Sequence, residues 1–203
     1  MIFSLNDRLF ESEKERNLYA KFFAGYFLNE LVAGYEERVT SLCNQLSKSI
    51  KESIKLTNPH ISFDNHAYLL SKNTDKGEFA DVLLQDSYRK IFVSIEVKYL
   101  SNWSVENDLV KNLDRLDKIK EDHPNYKFYF FLLVSKTKWE AVMKMRNSVA
   151  SNYKKYLAEY SDKVGILFWE DLVALCANQE VVRYMTERLE FVNAPRENRM
   201  FLK

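Results

Sequence analysis

Over residues 91–99 the chain alternates strictly, and the alternation puts two charges where a buried strand has no use for them. Side chains leave a strand on opposite faces in turn. Ile91, Val93, Ile95, Val97 and Tyr99 therefore share one wholly apolar face, and Phe92, Ser94, Glu96 and Lys98 share the other. A buried charge is costly unless it is paired or binds a metal. Just upstream, residues 77–84 read as a second strand, joined to the first through a polar turn at residues 85–89, and this strand brings Asp81 close by. Two carboxylates and a lysine meeting at one sheet end suit a divalent cation and an activated water. Side-by-side carboxylates repel unless a cation lies between them. Removing either is therefore expected to leave the metal-free chain no less stable.

The rest of the chain reads as an α/β protein. With 203 residues, 46% hydrophobic and 29% charged, it suits one compact domain over residues 1–203. Helices are expected over residues 1–56, an α/β core over 60–190 and an irregular tail over 193–203. Helical spacing covers residues 11–55, with a break at Gly34 and a second helix over residues 36–54. A first strand is expected over residues 61–70. An amphipathic helix follows over 104–121, with Leu109, Leu113, Leu116 and Ile119 inward. Residues 126–134 form a nearly continuous apolar run, as a strand buried on both faces requires. One helix is expected over 137–160, a short strand over 164–169 and a last helix over 170–188. Helices, three strands, then alternating helix and strand predict a sheet with a leading antiparallel part and later crossover strands.

Composition excludes several classes. Four glycines and three prolines leave no long linker or low-complexity tail. No apolar run follows a basic N-terminal segment and no stretch spans a membrane, so a cytoplasmic protein is expected. Cys43 and Cys176 lack metal-ligand spacing and read as reduced core residues. The net charge of +1 does not announce a nucleic-acid binder. His60, His66 and His123 show no ligand spacing.

The triplet Asp81, Glu96, Lys98, an acid on one strand and Glu-x-Lys on the next, resembles the PD-(D/E)XK nuclease superfamily. The direct match covers residues 77–99, and the order of elements extends it over most of the chain. Ala80 stands where the family carries proline. The resemblance implies a restriction-endonuclease-like mixed sheet flanked by helices, and a Mg²⁺- or Mn²⁺-dependent endonuclease acting on nucleic acid, DNA above all. It implies that Asp81 and Glu96 hold the metal with the Val97 carbonyl, and that Lys98 positions the attacking water. Relatives also carry an acid on the N-terminal helix. Glu15 is the candidate, because Leu18, Tyr19, Phe22 and Phe23 place it beside the buried face. The helix after Lys98 faces the site in the family, which makes Asn112 a candidate. Lys111 and Arg115, four apart on one helix face, suit a phosphate backbone. Cutting two strands favours a homodimer.

Each residue also has a plainer reading. Glu96 can pair with Lys98, and Asp81 with Arg89 or Lys90. Glu11, Glu13 and Glu15 can complement a helix dipole. Lys111 and Arg115 can form a solvated face. Trp103 and Trp139 can stack on bases or pack at the core rim. The rival functional reading is an inactive nuclease-like domain that binds nucleic acid or a protein partner.

Overall fold

The computed structural model describes residues 19–66, 70–72, 74, 78–98, 109–144, 148–176 and 178–193. Among these, β1 (His60–His66), β2 (Glu78–Asp86), β3 (Ile91–Lys98), β4 (Lys127–Val134) and β5 (Val164–Phe168) form a sheet in that spatial order. The first three strands are an antiparallel meander, and β4 and β5 run parallel to β3. The helices are α1 (Tyr35–Lys48), α2 (Lys111–Asp122), α3 (Lys136–Lys144), α4 (Ser148–Glu159), α5 (Trp169–Ala174) and α6 (Gln179–Asn193), with a π-helical stretch at Lys21–Phe27. The protein is thus mixed α/β, with helices on both faces of a five-stranded mixed sheet. No helix of the described residues is long and apolar enough to cross a membrane.

The crossovers follow from strand direction. A parallel neighbour cannot be reached by a tight turn, so α2 carries the chain from β3 to β4, and α3 and α4 carry it to β5. β3 and β4 lie inside the sheet, and their two faces feed two apolar cores. Val93, Ile95, Val97, Phe131 and Leu133 pack with Phe22, Phe23, Leu42, Leu46 and Trp169. Phe92, Phe130 and Leu132 pack with Leu109, Leu113, Leu116 and Ile119. α2 is only 12 residues long and mostly polar, so it is marginal as an isolated helix. Its inward leucines and isoleucine, each worth about 1.5–3 kcal/mol on full burial, hold it against the sheet.

Several boundaries differ from the sequence reading, each for a local reason. Trp139 and Tyr153 make an edge-on ring contact at 5.7 Å. A single straight helix would separate them by about 21 Å along its axis, so the expected helix over 137–160 is two helices, α3 and α4. The expected helix over 170–188 also divides. Asn178 Oδ1 accepts from the N–H groups of Glu180 and Val181 at 3.0 and 3.2 Å and so caps α6. α1 stops at Lys48 rather than near 54, because the Ile54 N–H turns back to Ser47 Oγ at 2.9 Å. β1 ends at His66, with residues 67–69 outside the described set. The tail over 194–203 is also outside it. Cys43 and Cys176 are buried free thiols, and burial pushes both up from the usual thiol range.

The N-terminal aromatic stripe is wound more loosely than an α-helix. Leu28 N–H bonds Phe23 C=O, an i→i+5 step, and the rings of Phe22 and Phe27 stack 5.3 Å apart. Arg38 secures the chain after this stretch. It is 4% exposed and donates to four carbonyls: Phe27 at 2.7 Å, Val32 at 2.8 Å, Asn29 at 3.1 Å, and Ala33. Gly34, at φ 79°, takes the left-handed turn into α1. Arg38→Met keeps the bulk but strips these carbonyls of a buried donor, and is expected to cost about 3 kcal/mol in urea unfolding. Arg38→Lys should recover only part, since an ammonium cannot fork to four acceptors. A loss below about 1 kcal/mol for the methionine variant would mean that water serves these carbonyls instead.

Candidate functional site

The β2–β3 ladder ends at Val82–Ile95. One step further along the same register stand Asp81 and Glu96, facing each other at the open end of the hairpin. On the other side of β2, Phe63 pairs with Val82 and Asn65 with Ala80, which sets Asp64 opposite Asp81. Three acids therefore form a row across three strands, continued by Leu132, the β4 partner of Glu96. Like charges directly opposite on a sheet are destabilising. Here they are met by donors.

Asp81 is engaged at both oxygens. Its Oδ2 accepts the Val97 N–H at 2.6 Å, a carboxylate in the place of a ladder carbonyl. A residue's N–H and C=O leave a strand on the same side, so the Val97 carbonyl also faces β2. The Tyr19 hydroxyl lies 3.2 Å from Asp81 Oδ1 and 2.6 Å from Asp64 Oδ1, one proton between two carboxylates. Burial, the bond to Asp64 and the charge of Asp81 push Tyr19 far above the ordinary tyrosine range, so it stays a donor. Asp64 has φ 50°, a left-handed conformation that aspartate tolerates better than most residues.

Glu96 is held from the side of β3 and from α2. Its Oε1 accepts Lys98 Nζ at 2.8 Å and its Oε2 the Asn112 amide at 3.5 Å. Arg115 Nη1 in turn bonds Asn112 Oδ1 at 3.2 Å. The Lys98 and Glu96 side chains are 12% and 17% exposed, so water screens this pair less than a surface one. A cavity of about 220 Å³ lies between the sheet and α2. Asp64, Asp81 and Glu96 line one side, and Lys111, Asn112 and Arg115 line the other.

The structure thus gathers Asp81, Glu96, Lys111, Asn112 and Arg115 around one cavity, with Lys98 joined through Glu96 and Val97 through its amide. Glu15 and Trp103 lie outside the described residues. Arg89 and Lys90 stand at the closed end of the hairpin. Arg89 Nε bonds Thr57 Oγ1 at 3.0 Å, and Lys90 Nζ sits 5.2 Å above the Tyr126 ring, so neither pairs with Asp81. Trp139 is core packing against Tyr153. Tyr19 and Asp64 escaped the sequence reading. The alternation Ile61, Phe63 against Ser62, Asp64 was legible, but the register that sets Asp64 beside Asp81 was not.

Among the described residues, no group of three or more His, Cys, Asp or Glu side chains is gathered to hold a metal ion. Two carboxylates remain compatible with Mg²⁺ or Mn²⁺, because Mg²⁺ is commonly held by one or two carboxylates with water and substrate completing its shell. A carboxylate oxygen that accepts one hydrogen bond keeps a second lone pair, so the donor set of Asp81 and Glu96 fits such an ion. Compared with family models, curated proteins and solved structures, the chain matches none.

The bonds to Asp81 oppose the effect of repulsion on stability. Asp81→Ala leaves the Val97 N–H and the Tyr19 hydroxyl without this acceptor, and a charged acceptor is worth about 1.5–3 kcal/mol. Thermal unfolding without metal should show Asp81→Ala destabilised by about 2 kcal/mol. A variant as stable as wild type would show that relieved repulsion outweighs the lost bonds.

Proposed function

We propose that this protein is a metal-dependent phosphodiesterase of the PD-(D/E)XK type, with a restriction-endonuclease-like fold, that hydrolyses nucleic acid, DNA above all. The observation that carries the reading is the facing pair Asp81 and Glu96, with Lys98 bonded to Glu96, beneath a helix that presents Lys111 and Arg115 to the same cavity. The antiparallel meander followed by parallel crossover strands supports it.

In this reading Asp81, Glu96 and the Val97 carbonyl hold Mg²⁺ or Mn²⁺. When bound, the ion supplies Lewis-acid polarisation of the phosphoryl group and lowers the pKa of water. Lys98 orients the attacking water and offsets the charge that builds on the phosphate. Water attacks phosphorus in line and gives up a proton to solvent, the bond to the 3′-oxygen breaks, and the leaving alcohol takes a proton from solvent. Asn112 holds Glu96 in place, and Lys111 and Arg115 grip the flanking backbone. Glu15 is proposed as an additional acid of the site. Cleavage of both strands would use a homodimer. One observation favours the rival, a nuclease-like domain that binds nucleic acid or protein without cutting it: both Glu96 oxygens already accept protein donors.

The test is Mg²⁺- and Mn²⁺-dependent cleavage of duplex, single-stranded, branched and RNA substrates, with Mn²⁺ calorimetry alongside. Glu96→Ala should abolish the Mn²⁺ heat. Lys98→Ala should abolish cleavage while leaving affinity within a few-fold, since one phosphate contact is a small part of the interface. Lys111→Ala and Arg115→Ala should weaken binding and flatten its salt dependence, with cutting intact at saturation. Binding without cleavage under any divalent metal would install the rival, and equal Mn²⁺ affinity in Glu96→Ala would remove the metal site.

A further inference from the structure

The hairpin's closed end carries a second set of groups, on the opposite side of the sheet from the acidic cavity. A groove of about 600 Å³ runs between α1, the segment after it and the β2–β3 turn. Its cations are Lys48, Lys55 and Arg89, and no carboxylate lines it. Thr40, Asn44 and Lys48 are spaced four apart and form one stripe along α1. Its floor is apolar: Ile54, Leu56 and Cys43 are 1%, 8% and 6% exposed.

These cations are not spent on internal pairing. Lys48 and Lys55 are exposed, and no ion pair of the described residues uses either. Arg89 is held by its Nε bond to Thr57 Oγ1 and by its seat 5.6 Å from the Tyr88 ring centroid, which leaves its terminal nitrogens for a ligand. The nearest buried acid, Asp86, is 1% exposed and turned inward, its oxygens taken by the N–H groups of Thr57 and Arg89. Glu36 and Glu37, one turn before Thr40, are the acids of α1 itself.

An aromatic ring decides which polyanion fits. Tyr88 is 82% exposed at the turn, one of two large apolar side chains so exposed among the described residues. It costs apolar hydration and is backed by an arginine. An acidic peptide or a free phosphate would use the cations but has no need of the ring. A strand of nucleic acid uses both, with phosphates along the cations and an unpaired base on the ring.

We propose that this groove binds single-stranded nucleic acid, with Lys48, Lys55 and Arg89 on consecutive phosphates and Tyr88 stacked on a base. The surface is separate from the acidic cavity. β3 has eight residues, so the two ends of the hairpin stand about 25 Å apart. The proposal does not depend on whether the cavity cuts.

Fluorescence anisotropy in EDTA tests it without cleavage, using a labelled oligothymidylate of about fifteen nucleotides, the matching duplex, and inorganic polyphosphate as competitor. Each phosphate contact on a single strand contributes about 0.7 to the slope of log affinity against log salt. The triple variant Lys48→Gln, Lys55→Gln, Arg89→Gln should therefore flatten the slope by about 2. Tyr88→Ala should weaken the oligothymidylate about tenfold and leave polyphosphate and duplex unchanged, while Tyr88→Phe should bind as wild type. All four side chains are exposed, and circular dichroism checks that each variant is folded. Unchanged slope and affinity in the triple variant, no binding by wild type, or equal losses on all three ligands from Tyr88→Ala would each overturn the proposal. Intact cleavage by the triple variant at saturating substrate would separate the groove from the cavity; failure of the chain to cut anything would leave these binding results standing.

Discussion

β3 is the strand on which the molecule depends. It pairs antiparallel with β2 on one edge and parallel with β4 on the other, and both its faces are buried. A slip of one residue would send Val93, Ile95 and Val97 to the wrong core. The register is therefore held by many apolar contacts at once, and the charged residues at the end of the strand inherit that precision. Glu96 faces Asp81 because Val82 faces Ile95 and Leu84 faces Val93.

The acidic row across β1, β2 and β3 is tolerated because its cost is smaller than what meets it. A facing pair on a sheet is worth at most about 1 kcal/mol. Each charge-assisted hydrogen bond offsets about 1.5–3 kcal/mol, and Asp81 has a backbone amide at 2.6 Å. Of the other donors, Lys98 comes from the same strand end, while Tyr19 from before the π-helical stretch and Asn112 from α2 come from distant segments. The site is consequently a junction of three regions.

The hairpin has two unlike ends. The open end sets three acids against Lys111 and Arg115 of the helix that roofs it. The closed end is basic, exposed and carries an aromatic ring. A near-neutral net charge hides both, because it sums over surfaces that never meet. Local charge, and not the total, decides which face a polyanion can approach.

The sequence by itself determined the strands and their faces. Strict alternation over residues 91–98 and the apolar run of β4 each admit few buried arrangements, and the inward face of α2 followed from its period. Asp81, Glu96 and Lys98 were legible as one group for the same reason, since a short hairpin has little freedom of register. Helix boundaries were less legible. The divisions at Asn178 and between Trp139 and Tyr153 are set by a cap and by a ring contact, not by periodicity. Tertiary structure alone decided that Asp64 joins the row, that Tyr19 reaches it from residues far off in sequence, and that Lys48, Lys55, Arg89 and Tyr88 share one end of the molecule. These are contacts between segments whose relative placement depends on how the two cores pack around the sheet, and a pattern of spacing within one segment carries no information about that.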